Sequence, residues 1–145
     1  MGSKHDTKHV QIQLHSSIQH PGQKKDSVKL KVAGQQIVKN GTSYLQYEEQ
    51  HDGQTIQSTI KLGHDEALIM RSGAVKMRLP LALGETRNGQ YNNEHMALPL
   101  IVKTKKLQYE ENEQSGSFTV QYELHADGSL LGKYELSITY VEGQS

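Results

Sequence analysis

Apolar residues return at every second position through most of this chain, and that period predicts β-strands. Val10, Ile12 and Leu14 alternate with Gln11, Gln13 and His15, and Val28, Leu30 and Val32 with Lys29 and Lys31. The clearest runs come late, at Phe118, Val120, Tyr122 and Leu124, then at Tyr134, Leu136, Ile138 and Tyr140. Shorter strands are expected over Thr42–Glu49, Ile56–Leu62, Val75–Leu79 and Leu100–Leu107. Ala67-Leu68-Ile69-Met70 is apolar on both faces, which suits a strand covered on both sides or one at a sheet crossing. Pro80 has no N–H to give to a ladder and is expected to break it. No segment sustains a 3.6-residue period, so the count is eight to ten strands.

The punctuation between strands is specific. Asn40-Gly41, Asp52-Gly53, Asn88-Gly89 and Asp127-Gly128 are pairs that tolerate positive φ at both central positions of a type I′ hairpin turn. Ser72-Gly73 reads as another tight turn, Gly34 as a bulge or bend, and Glu110–Gly116 as a polar turn. Residues 84–97 read as polar and irregular, with one short strand near Tyr91.

Successive short hairpins favour up-and-down order. A long meander leaves two exposed edges, and closing the sheet removes both. The expected fold is therefore all-β: one antiparallel up-and-down β-barrel of 8–10 strands, with a β-sandwich as the second choice. A single domain is expected over residues 1–145, with strands over about 8–142 and polar tails at 1–7 and 143–145. A low apolar content of 34% and a mean hydropathy of -0.71 suit one thin interior and a large wet outer face.

With no cysteine, disulfides, thiolate metal sites and a Cys nucleophile are excluded. The first six residues carry no apolar run, and no stretch approaches the ~18 apolar residues of a spanning helix, so the expectation is a soluble cytoplasmic protein. Net charge is zero, yet the charge is banded: residues 1–40 carry seven Lys against two Asp, and residues 71–109 seven Lys or Arg against two Glu. The segments between and after these are acidic. In a meander such bands become stripes on the outer surface. They read as a solvated face or as a basic surface for a polyanion.

Motifs for chemistry are missing. The eight His have no metal-ligand spacing, Glu48 and Glu49 point to opposite faces of a strand, and there is no Gly-x-Ser-x-Gly or phosphate-cradling loop. No catalytic residue, metal site or cofactor is therefore expected. The basic strand residues Lys29, Lys31, Lys103, Lys105 and Lys106 lack interleaved aromatics apart from nearby Tyr109, which argues against nucleic acid.

The inward face holds the candidates. Ser58 shares parity with Ile56, Ile60 and Leu62, and Thr104 with Leu100 and Val102. Tyr122, Tyr134 and Tyr140 share a face with apolar neighbours, as Tyr47 does with Leu45. Tyr47, Tyr122 and Tyr140 are the candidate lining of a ligand cavity. The ordinary alternative in a small barrel is a filled core. Arg71 ends an apolar strand and is the candidate rim residue, either capturing an anionic ligand or pairing with a neighbouring carboxylate.

The stretch Met70-Arg71-Ser72-Gly73-Ala74-Val75-Lys76-Met77, with Tyr44-Leu45-Gln46-Tyr47-Glu48 and Thr59-Ile60-Lys61 before it, resembles the YwiB-like family of small bacterial proteins over about Val10 to Val141. The resemblance implies a closed calycin-like, lipocalin-like barrel and no assigned activity. This chain departs from the family pattern at Leu79-Pro80-Leu81 and at Asn92–Met96. The expected function is a non-enzymatic barrel that binds a small, partly apolar ligand. The alternative is a protein- or RNA-interaction module using the basic stripes. A homodimer is compatible with either.

Overall fold

The computed structural model describes residues 5–143; residues 1–4 and 144–145, parts of the two expected tails, lie outside the described residues. Ten strands follow in order: β1 (His5–Gln19), β2 (Asp26–Lys39), β3 (Thr42–His51), β4 (Gln54–Lys61), β5 (Glu66–Gly73), β6 (Lys76–Ala82), β7 (Thr86–Asn92), β8 (Ala97–Glu111), β9 (Ser115–Ala126) and β10 (Ser129–Glu142). No helix occurs among the described residues. Each strand pairs antiparallel with its sequence neighbour, and β1 pairs with β10, which closes an up-and-down barrel. Closure leaves the sheet with no terminal edge strand.

Three of the four Asn/Asp-Gly pairs make the expected turns. Asn40, Asp52 and Asp127 have φ of 52°, 51° and 51°, followed by Gly41, Gly53 and Gly128 at 80°, 77° and 78°. The fourth is not a turn. Asn88-Gly89 lies in the middle of β7, opposite Ile101 and Leu100 of β8. Gly89 serves close packing instead: a Cβ there would stand 2.8 Å from the Arg78 carbonyl oxygen and 3.1 Å from Val102 Cγ2. The segment read as irregular is thus largely strand, because its inward side accommodates a residue with no side chain.

Other boundaries shift for similar reasons. Ser72 and Gly73 belong to β5, and the reversal falls at Ala74-Val75. β2 runs through Gly34 without a bulge, in unbroken register with β1. Gly34 is needed because a Cβ would meet the Gln46 carbonyl oxygen at 2.5 Å and Ile12 Cδ1 at 2.7 Å. Pro80 stays within β6 and keeps its pairing with Leu68, while the ladder to β7 ends at Arg78. Glu110 and Glu111 extend β8. The turn after them is held by Asn112 Oδ1, which accepts from the backbone N–H groups of Gln114 (3.0 Å) and Ser115 (2.9 Å).

The middle of the barrel is solid. Ile12, Leu45, Ile60, Leu79, Val102, Phe118, Val120 and Ile138 come from seven different strands and are almost wholly buried. Burying each such side chain contributes about 1.5–3 kcal/mol. The two ends of this plug of hydrocarbon differ. The end carrying the 40–41, 62–65, 83–85 and 112–114 connections is sealed by polar side chains. The end carrying the 20–25, 52–53, 74–75, 93–96 and 127–128 connections holds a cavity.

Candidate ligand cup at the open end

The opening arises where two strands part. β2 and β3 are paired only over Gln35–Lys39 and Thr42–Gln46, although both strands continue well beyond Gln46 toward the open end. Past that point β2 remains paired with β1, and β3 with β4. Val28, which shares its face with half-buried Leu30 and Val32, is 60% exposed at this lip. It pairs with Ser16, a residue that lines the cavity.

The cavity is a cup of about 220 Å³. Leu14, Ile60, Ile69 and Leu136 give it an apolar floor and wall, and Tyr47, Ser58, Arg71, Tyr122 and Tyr134 bring the polar groups. At ~30 Å³ per water it has room for roughly seven waters. Wider hollows of about 480 and 470 Å³ lie on the outer face, lined mainly by exposed polar side chains of β1, β2, β8, β9 and β10. Their size does not make them better sites, because their polar groups already face solvent.

Register places the cup's polar groups together. Ser58 on β4 faces Arg71 on β5, and Tyr47 on β3 faces Ser58. Tyr122 and Tyr134 pair across β9 and β10, with rings stacked at 5.2 Å and 6° between planes. Of the four candidates named from the sequence, Tyr47, Arg71 and Tyr122 therefore share the cup, and Tyr134 joins them. Ser58 is 1% exposed, and its hydroxyl, close to Tyr47, closes no hydrogen bond of ordinary geometry.

Electrostatics keep the cup's phenols protonated. Burial pushes the Tyr47 hydroxyl above the ordinary phenol value, with the positive charge of Arg71 partly opposing it. Burial and the neighbouring Tyr134 push Tyr122 up, and burial alone raises Tyr134. Arg71 Nη2 donates to Glu49 Oε1 at 3.4 Å, so the arginine has found a carboxylate, one of its two expected roles. Glu135 also borders the cup, and its carboxylate accepts from Gln121 Nε2 at 2.7 Å.

Tyr140 lies elsewhere. It is six residues from Tyr134 along β10, about 20 Å at ~3.3 Å per residue, at the sealed end. Tyr109 donates to Glu111 Oε2 at 2.8 Å and lies 2.9 Å from the Tyr140 hydroxyl, so Tyr140 must donate to Tyr109. Gln36 Nε2 donates to Tyr140 (3.3 Å) and to Ser43 Oγ (3.4 Å), and Ser43 donates to Glu111 (3.3 Å). Two chains of donors thus leave Gln36 and converge on one carboxylate. Such a closed network is what buried polar groups require, and it occupies the Tyr140 hydroxyl.

A closed antiparallel up-and-down barrel with a cup at one end is the class of protein that these features define. The chain belongs to the family described as domain of unknown function DUF1934, which matches residues 12–138. It is similar to the uncharacterized beta-barrel protein YwiB of Bacillus subtilis (strain 168), with 28% identity over 134 residues, covering 92% of this chain and 94% of that protein. The crystal structure of ywiB protein from Bacillus subtilis superposes with a TM-score of 0.84 at 28% identity, covering 95% of this chain and 94% of that one. The resemblance carried by Met70–Met77 is borne out. Neither description names a ligand or an activity.

Proposed function

We propose that this protein is a non-enzymatic barrel that binds a small, partly apolar ligand in the cup at its open end. The observation that carries this reading is the convergence of Tyr47, Ser58, Arg71 and Tyr122 above an apolar floor in one cup. A concave, mostly apolar site with a few convergent polar groups is the usual form of a small-molecule site. The apolar floor of Leu14, Ile60, Ile69 and Leu136 supports a ligand with a hydrocarbon part. The cup is smaller than the ~300–1,000 Å³ of drug-sized sites, which argues for a small metabolite. The absence of catalysis in this reading rests on the phenols. They are held protonated and so stand ready to hydrogen-bond rather than to exchange a proton near neutrality.

Native mass spectrometry of the protein purified from its own host tests this. The expected result is an added small mass that is lost on denaturation and weakened by Tyr122→Ala. Protein that carries no added mass, together with a cup whose NMR signals respond to no member of a metabolite panel, overturns the reading.

A further inference from the structure

We infer that the ligand of this cup presents a carboxylate to Arg71, and that Glu49 is the internal carboxylate it displaces. This rests on the ligand-binding reading above and narrows it to a chemical class.

Arg71 is the one full positive charge among the residues lining the cup, and a guanidinium has five N–H donors in a planar fork that matches a carboxylate. The bond to Glu49 uses this fork poorly. It is a single contact of 3.4 Å between side chains that are 35% and 18% exposed, whereas strong charge-assisted pairs close to ~2.7–2.9 Å and engage two donors. The pair is part-buried, and its long single contact leaves most of the guanidinium fork for a better-placed carboxylate. The groups around Arg71 suit the incoming anion. Ser58 pairs with Arg71 across the β4–β5 ladder, and Tyr47, opposite Ser58 on β3 and close to Arg71, brings a phenol that keeps its proton. On the outer face of the barrel, Lys76 and Arg78 of β6 border a groove that Arg71 also lines and add positive charge near the same end. Glu135, the other acid at the cup, is turned to Gln121. The hydrocarbon side of Leu14, Ile60, Ile69 and Leu136 then takes a short apolar tail.

The test compares hexanoate with hexanamide, which has nearly the same shape and no charge. Calorimetry gives affinities, and methyl NMR of Ile60 and Ile69 confirms the location. The expected result is a preference for hexanoate of about tenfold or more. Arg71→Gln is expected to bring the two probes to near equality. Glu49→Gln leaves Arg71 in place and frees its fork, and is expected to tighten hexanoate by up to about fivefold without helping hexanamide. This second variant keeps the inference testable should Arg71→Gln fold poorly. Equal binding of the two probes overturns the carboxylate assignment while leaving the cup a ligand site. So does a co-purified neutral or cationic molecule seated in the cup. An unchanged hexanoate affinity in Glu49→Gln overturns the displacement. If neither probe binds and the native protein carries no added mass, the inference and the reading beneath it fall together.

Discussion

The ring of Tyr140 occupies the space that a side chain on Gly116 would need. The two residues face each other across β9 and β10, and a Cβ on Gly116 would stand 2.6 Å from Tyr140 Cε1 and closer still to Cζ and the hydroxyl. The glycine lets the ring lie against the opposite backbone, and this puts the hydroxyl within 2.9 Å of Tyr109. The sealed end of the barrel thus depends on the absence of a side chain.

Gly116→Ala should therefore force the ring away, break the bond to Tyr109 and destabilise the protein by about 1–3 kcal/mol, measured by urea unfolding. In a Tyr140→Leu background the same substitution should cost much less, because there is no ring to displace. An equal cost in both backgrounds would show that the strain is in the strand and not in the pair.

The Asn/Asp-Gly pairs give a second contrast. Asn40 holds φ of 52°, a region that costs a residue such as Ala about 1 kcal/mol or more, so Asn40→Ala should lower stability by that amount. Asn88 is exposed within β7, and Asn88→Ala should change stability by no more than about 0.5 kcal/mol. Their glycines should fail for different reasons. Gly41→Ala suffers positive φ with open space around it, and Gly89→Ala suffers collision with the Arg78 carbonyl. Thermal unfolding of the four variants separates these accounts, and equal losses from the two Asn substitutions would refute the assignment.

That contrast also marks how far the sequence could be read. Alternation located the inward face because one side of every strand meets hydrocarbon, and three dipeptides located turns because few residues accept their φ. The meaning of Asn88-Gly89 depends on β6 and β8, which approach Gly89 from both sides, and no local rule contains them. Parity did contain one further clue: Leu45, Tyr47 and Glu49 share a face, so an inward carboxylate on β3 was legible, though its meeting with Arg71 runs through β4. The meeting of Ser58 with Arg71 is likewise set by the β4–β5 register, which no local rule contains. The separation of Tyr140 from the other candidates follows from strand length: the same face of β10 serves both ends of the barrel.

Alkaline pH should unfold this protein early. Burial raises the hydroxyl pKa of Tyr47, Tyr109, Tyr122, Tyr134 and Tyr140 above the ordinary 10.0. Below about pH 10 neither state has ionised and the stability is complete. Above it the unfolded chain releases protons that the native state retains, so stability falls as pH rises toward the raised values. A deeply buried phenol such as Tyr122 contributes a loss of up to about 1.4 kcal/mol per pH unit in that window. Urea unfolding followed from about pH 8 to 11 should show the decline, and Tyr122→Phe should make it shallower. A flat profile across that range would contradict the burial argument.

Two buried hydroxyls in this barrel should respond oppositely to removal. Thr104 is 2% exposed, and its Oγ1 accepts from the Ala82 backbone N–H at 3.3 Å. Thr104→Val keeps the shape but leaves that N–H buried and unpaired, which should cost about 1–3 kcal/mol. Ser58 is 1% exposed, and its hydroxyl has only a contact with Tyr47 that falls short of ordinary hydrogen-bond geometry to lose. Ser58→Ala should leave the stability of the free protein unchanged or raise it by about 1 kcal/mol, since it removes an unsatisfied group at the expense of one small atom of packing. A structural hydroxyl would behave like Thr104. A hydroxyl kept for a ligand should instead separate the two readouts, with Ser58→Ala as stable as the parent in urea yet carrying less co-purified ligand in native mass spectrometry. Loss of stability without loss of ligand would place Ser58 among the core residues.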